Sequence, residues 1–260
     1  MKQHARNWVE LWNGNHPLWI NGRHIEVRCR LVTDDILKLI AGRSRPVVLD
    51  YGCGEALEAR RFAGKCEALF LYEAPSAAVD RLRRRFSSVE NIRVVDDEGV
   101  ERLPAESIDV VVMSSVVQYM SERRLGSLLA RFSKILRPDG EVLIGDIIPP
   151  RGDHLNYVWT LLRDGIRYGY FWGAVWSILR MRFSEYWDLK RNLKYSYYSD
   201  SAMESFLGQN GFHGSRVSFN IGGNAGRMSF RAVKMPTRSC VEMAQSMAAN
   251  RTSDLVVGEF

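Results

Sequence analysis

The stretch Pro46-Val47-Val48-Leu49-Asp50-Tyr51-Gly52-Cys53-Gly54-Glu55-Ala56 decides how the rest of the chain is read. From Pro46 to Leu49 the run is apolar without polar alternation, as in a parallel strand covered on both faces. Gly52 and Gly54 follow at once. Lacking a Cβ, they let the backbone turn sharply from strand into helix and approach a bound ligand closely. An acidic residue, Glu73, stands 23 residues after Asp50, where a carboxylate at the end of the next strand can accept hydrogen bonds from ribose hydroxyls.

Outward from this turn, short apolar runs alternate with helical patterns up to residue 150, the rhythm of βαβ units. The pattern predicts a helix from about Ala56 to Ala63 and a second strand over Ala68–Tyr72. Ser76 is read as the cap of a helix carrying Ala77, Ala78, Leu82 and Phe86 on one face. Strands are expected at Ile92–Val95, Ile108–Met113 and Glu141–Ile147, the last preceded by an amphipathic helix that stops before Pro138-Asp139-Gly140. After Pro149-Pro150 the rhythm breaks into one long aromatic helical insertion, 151–194. A helix from Ser199 to Asn210 then leads to two short antiparallel strands, Arg216–Ile221 and Arg227–Lys234, joined through Gly222-Gly223-Asn224.

Several of these segments resemble the motifs of class I S-adenosylmethionine-dependent methyltransferases. Asp50-Tyr51-Gly52-Cys53-Gly54-Glu55-Ala56 resembles the family's D-x-G-x-G-x-G turn, with Ala56 at the third glycine. Ile108-Asp109-Val110-Val111 is similar to its fourth strand, and Arg131 to Glu141 to its turn into strand five. Phe206-Leu207 and Asn210-Gly211-Phe212 resemble the step into strand six. The resemblance implies an α/β, Rossmann-like fold: a mostly parallel seven-stranded sheet with an antiparallel last strand, helices on both faces and a helical cap insertion. It divides the chain into a cap segment and first helix (1–45), a cofactor-binding core (46–150), the aromatic cap (151–194), the last helix and strand pair (195–235) and a tail (236–260).

It also implies S-adenosylmethionine as cofactor, with S-adenosylhomocysteine as product. Gly52, Cys53 and Gly54 would then pass beside the amino acid part, and Asp50 would orient it. Glu73 would hold the ribose, Ala74 would flank the adenine, and Asp97 or Glu98 would meet the adenine amino group. Ser114 and Ser115, with Gln118 and Tyr119 nearby, would line the methionine end. Cys53 reads as a packed small residue rather than a nucleophile.

Composition constrains the remainder. Apolar residues make up 46% and charged residues 25%, enough for a buried core. Cys29, Cys53, Cys66 and Cys240 lack the spacing of a zinc site or a disulfide framework, so no metal is expected. No apolar run follows the basic residues of Met1–Glu10, which makes a cytoplasmic setting the default expectation. The net charge of +6, densest at Arg81, Arg83, Arg84 and Arg85, keeps an RNA methyltransferase open as an alternative. Against it, strand four runs into Ser114-Ser115-Val116-Val117 rather than an acidic-Pro-Pro-aromatic loop, so nucleic acid is not the expected partner. The same strand-turn-helix also leaves open a nicotinamide-dependent oxidoreductase, or a cofactor-binding scaffold without catalysis.

All seven tryptophans lie outside the core: Trp8, Trp12 and Trp19 before it, Trp159, Trp172, Trp176 and Trp187 in the insertion. The expectation is a cap that shapes an apolar pocket for a small, apolar or amphipathic methyl acceptor, methylated at oxygen. His16 and His24 are the candidate bases, with His154 also near the cap. The stretch 166–183, aromatic with basic edges, could instead contact a membrane surface peripherally.

Overall fold

The structure is a computed structural model, and it describes residues 20–150, 154–182 and 195–236. His16, Trp8, Trp12, Trp19, Trp187 and Cys240 lie outside the described residues, as do most of the expected tail and the C-terminal end of the insertion.

Helix α1 (Gly22–Leu39) is capped by Asn21, whose side chain accepts from the His24 amide. It leads to β1 (Val47–Tyr51), α2 (Ala59–Ala63), β2 (Ala68–Tyr72), α3 (Ser76–Phe86), β3 (Ile92–Val95), α4 (Asp97–Glu101) and β4 (Ile108–Ser114). Helix α5 (Glu122–Ile135) passes directly into β5 (Leu136–Ile147). Then come α6 (His154–Tyr168), α7 (Phe171–Arg182), α8 (Asp200–Gln209), β6 (Phe212–Arg216) and β7 (Met228–Lys234). The seven strands lie in the order β3-β2-β1-β4-β5-β7-β6. All pairs are parallel except those of β7 with β5 and β6.

Alternate residues of the strands feed two core layers. Val47, Leu49, Tyr51, Val111, Met113 and Val142 pack with α5 and α8 through Leu125, Leu129, Phe132, Met203 and Leu207. Val48, Val110, Val112 and Leu143 pack on the other face with Ile36 of α1, Phe62 of α2 and Leu82 and Phe86 of α3. With helices on both faces, β4 is buried from Ile108 through Met113, which is why Val110–Met113 is continuously apolar, while the buried Asp109 is satisfied by the Val47 amide and Arg137.

Several boundaries differ from expectation. Ser76 is the first residue of α3 rather than its cap; Pro75 holds the cap position without a side-chain bond. Strand β5 begins at Leu136 rather than Glu141, because the register against β4 shifts between Ile108 and Val110 and takes up Arg137–Gly140. Strand β6 is Phe212–Arg216, not Arg216–Ile221: Gly211, at φ +85°, turns the chain out of α8 straight into the sheet. The following connection bends back at Gly222 and Gly223, both at positive φ. There α1 takes its backbone: the Gly222 N–H donates to Asp35 Oδ2 at 3.0 Å, and Arg28 Nη1 donates to Gly222 O at 2.6 Å. Among the described residues of the aromatic insertion, expected as one helix, α6 and α7 are parted at Gly169, φ +80°.

Candidate functional site

The chain runs β1-β2-β3 toward one edge of the sheet and returns for β4 and β5 on the other side, so the order reverses between β1 and β4. Open α/β sheets bind ligands outside the carboxyl ends of the strands at such a reversal. A cavity of about 190 Å³ lies there, lined by the ends of β1, β2 and β4, the turn after β1, and one side of α1.

The turn after β1 is shaped for close approach. Gly52 and Cys53 donate their amides to Tyr72 O at 2.9 and 3.1 Å, which pins the loop to the end of β2. Gly52 sits at φ +87°, and a Cβ there would lie 2.5 Å from Val116 Cγ2. Gly54, at φ +59°, has no atom within 4 Å of the place a Cβ would take, so its free face opens to the cavity. Glu73 closes the turn from the other side: Gly54 N–H donates to its Oε2 at 2.7 Å and Ala74 N–H to its Oε1 at 3.0 Å. Burial nevertheless raises the Glu73 carboxyl above its usual range, against those two bonds. Asp50 is pushed up to about 7, by burial first and by Glu73 second. Two carboxyls thus stand together at the ends of β1 and β2, an arrangement that fits a ligand bringing hydroxyl donors and a cation.

Of the residues singled out from sequence, Asp50, Gly52, Cys53, Gly54, Glu73, Ala74, Ser114, Ser115 and Tyr119 all line this cavity. Burial, Asp50 and Glu73 hold the Cys53 thiol well above its ordinary range, so it stays a neutral packed group. Asp97 and Glu98 do not line the cavity. Asp97 accepts from Tyr72 Oη at 2.6 Å, which steadies a tyrosine stacked on Tyr51 at 4.2 Å between ring centroids. Glu98 turns outward to Arg102 one helical turn away. His24, expected as a base, is also placed elsewhere. It is buried against Tyr170, ring centroids 5.2 Å apart, and burial with Arg28 lowers its pKa to about 4. Proximity in sequence to the expected cap misplaced it, because α1 turns that face toward α7 and not toward the cleft.

The first helix, expected with the cap segment 1–45, does form a wall, but the residues through which it does so were not singled out: Arg28, Cys29, Val32 and Thr33 line the cavity, together with Met120 and Arg124 beyond β4. Their signal was only the apolar spacing of α1, which does not say which element the helix covers. None of the described residues of α6 or α7 lines it. Among the described residues no group of three His, Cys, Asp or Glu could hold a metal ion.

A second cluster of polar groups adjoins the cavity at the ends of β4 and β5. Ser115 Oγ donates to Asp146 Oδ2 at 2.8 Å, and the Asp146 N–H donates to Asn220 Oδ1 at 3.1 Å. Ser115 and Asp146 occupy left-handed backbone conformations, φ +60° and +63°, which residues with a Cβ rarely adopt. Asp146 Oδ1, Asn220 Nδ2, Ser114 Oγ, Gln118 Oε1 and Arg227 Nη1 are buried without a hydrogen-bond partner. Tyr119 links the cluster to the cleft: burial raises its phenol, Tyr195 and Asp146 add to the shift, and Gln118 and Arg227 oppose it.

Comparison with known proteins agrees with this geometry. Residues 48–140 match the sequence profile of a methyltransferase domain family. Among curated proteins no sequence relative matches the chain. The fold is similar to that of magnesium protoporphyrin IX methyltransferase from Synechocystis, solved with bound S-adenosylhomocysteine, at 13% identity and a TM-score of 0.53 over 90% of each chain. It is similar as well to 1,6-didemethyltoxoflavin-N1-methyltransferase from Burkholderia thailandensis, solved with 1,6-didemethyltoxoflavin and S-adenosylhomocysteine, at 18% identity and a TM-score of 0.50 over 80% of this chain and 79% of that one. The methyltransferase profile falls on the strand-turn-helix that frames the cleft, so this part of the chain is similar to the cofactor-binding core of S-adenosylmethionine-dependent methyltransferases.

Proposed function

We propose that this methyltransferase acts on a small, apolar or amphipathic molecule and methylates it at an oxygen whose proton passes to Asp146. The observation that carries this reading is the Ser115–Asp146 pair beside the cleft, with one carboxylate oxygen bonded and the other buried without a donor. A buried polar atom left without a partner costs on the order of 1–3 kcal/mol, more when the group is charged. An acceptor hydroxyl supplies the missing donor to Oδ1. The left-handed backbone at both residues fits a functional assignment, since local strain collects at sites that use it. Ser114, Gln118, Asn220 and Arg227 carry further unmatched donors and acceptors for the polar end of the same molecule.

S-adenosylmethionine supplies an electrophilic methyl group on a sulfonium. In this assignment Asp50 and Glu73 compensate its positive charge and hold its ribose, Gly52 and Gly54 give it backbone room, and Ala74 flanks its base. Ser114, Ser115 and Tyr119 border the methionine end, and α1 keeps water from the cleft. Three of the four arginines that kept RNA open as an acceptor are engaged within the protein: Arg81 and Arg85 pair with Glu55, and Arg83 with Asp96.

Transfer of a labelled methyl group to a panel of phenols, hydroxy acids, amines and RNA tests the reading. Label is expected on a hydroxyl-bearing small molecule, and Asp146→Asn should lower turnover by roughly 10²–10⁴-fold, the span of general base catalysis, with cofactor affinity retained. Label on RNA alone, or full turnover in the variant, overturns it.

A further inference from the structure

Where helices α6 and α7 approach each other and Ile20 the contact residues are small, while several large apolar residues of both helices face outward. A Cβ on Gly165 would lie 3.0 Å from Phe171 Cα, and one on Gly173 would lie 2.8 Å from Ile20 Cγ2, so both glycines sit at close contacts. Ala174 is fully buried, in a small cluster with Val27, Leu161 and Tyr170. On the outside, Trp172, Trp176 and Leu179 follow one another at helical spacing and are 79%, 67% and 51% exposed. Trp159 and Ile166, two turns apart on α6, are 66% and 70% exposed. Isolated exposed apolar residues need no explanation, but two outward stripes carrying three tryptophans do.

The charges on the two helices are mostly of one sign. Residues 154–182 contain four arginines and one acidic residue, Asp164, which is buried and paired with Arg163 at 3.0 Å. Arg30 and Arg167 lie over the Tyr168 ring, 5.6 and 5.4 Å from its centroid, and Arg23 Nε donates to Tyr168 O at 3.3 Å. No helix among the described residues is long and apolar enough to cross a membrane.

We infer that α6 and α7 dock the protein on the surface of an anionic lipid bilayer, with Trp159, Trp172 and Trp176 at headgroup depth and the arginines against lipid phosphates. Tryptophan suits that depth because its ring is apolar and its N–H finds a polar partner. Arginine at the rim draws the face to negative charge. A second copy of the chain is a poorer occupant, since a two-fold contact would set this arginine-rich surface against itself. The inference goes beyond the methyl-transfer reading and does not depend on it, because its readout is adsorption and not turnover.

The test is sedimentation of the full chain with phosphatidylcholine–phosphatidylglycerol vesicles, alongside tryptophan quenching by brominated acyl chains. Binding is expected to the mixed vesicles, to weaken on pure phosphatidylcholine and to fall with salt. The triple variant Trp159→Ser, Trp172→Ser, Trp176→Ser should bind at least about tenfold more weakly, from the apolar surface each ring would bury. Arg30→Gln with Arg167→Gln should cost about fivefold per arginine on anionic vesicles only. A wild-type protein that stays in the supernatant overturns the inference, as does a triple variant that binds undiminished. So does a dimer at working concentration that the triple variant dissolves. Should the triple variant not fold, quenching of the wild-type protein by brominated lipid decides: its absence refutes the docking.

Discussion

Phe132 and Trp172 are both large aromatics on helices of this chain, and they end at opposite extremes. Phe132 is fully buried on α5, edge-on to Tyr51 at 5.5 Å between centroids, inside a layer shared with the sheet. Trp172 stands 79% exposed on α7, whose inward side is held by Gly173 and Ala174. A helical period tells which residues share a stripe. It does not tell which stripe meets the core, because that depends on the shape of the surface offered. A flat sheet accepts large side chains from α5. The close approach of α7 to α6 and to Ile20 leaves no room for larger side chains at Gly165 and Gly173.

The largest expected effect sets these two residues against each other. Phe132→Ala should destabilise the fold by about 3–5 kcal/mol, the usual loss for emptying a buried aromatic site. Trp172→Ala, although it removes a larger ring, should stay within about 0.5 kcal/mol of wild type, as surface substitutions do. Urea unfolding of both variants checks the contrast, and equal losses would erase it.

The comparison sharpens at the cleft, where a polar residue at a strand end belongs to function more than to the core. Glu73→Ala should weaken S-adenosylmethionine binding by about 1–3 kcal/mol while the fold keeps its melting temperature, consistent with losing a charged hydrogen-bond partner. Calorimetric titration of the folded variant measures it, and an unchanged dissociation constant removes Glu73 from the cofactor's contacts.

The smallest effect is read through pH. Asp50 titrates near 7 in the folded chain, against 3.8 for a free aspartate. The folded state therefore holds a proton that the unfolded state has lost, and the contribution of Asp50 to stability declines as pH rises from about 4 to about 7, then levels. Glu73, also raised, acts with the same sign. A cationic ligand favours the ionised carboxyls, so affinity for S-adenosylmethionine should increase as pH climbs toward about 7, and binding below that pH should release protons. Titrations in buffers of different ionisation enthalpy read the proton count, and Asp50→Asn should diminish it. A count of zero in the wild-type protein would show that these carboxyls do not meet the cofactor's charge.

The amino-acid sequence alone determined the sheet and the position of its cleft. Apolar runs such as Val47–Leu49 and Val110–Met113 can be satisfied only between two layers of helices, and Gly52 and Gly54 mark the turn at which β1 releases the chain. These are local features, legible because each strand, turn and helix is continuous in the chain. Asp50, Glu73 and Ser114 inherit their places at the cavity from the strand ends they occupy. The tertiary structure decided the rest. Arg28 reaches the cleft wall and holds Gly222, 194 residues away, while His24, one turn earlier on the same helix, faces Tyr170. Asp146 meets Ser115 and Asn220 only because β5 ends beside β4 and the β6–β7 connection folds back over both. Contacts between residues so far apart in the chain leave no periodic trace in it, since each depends on how separately formed elements pack, and that packing also decided which side of α7 faces water.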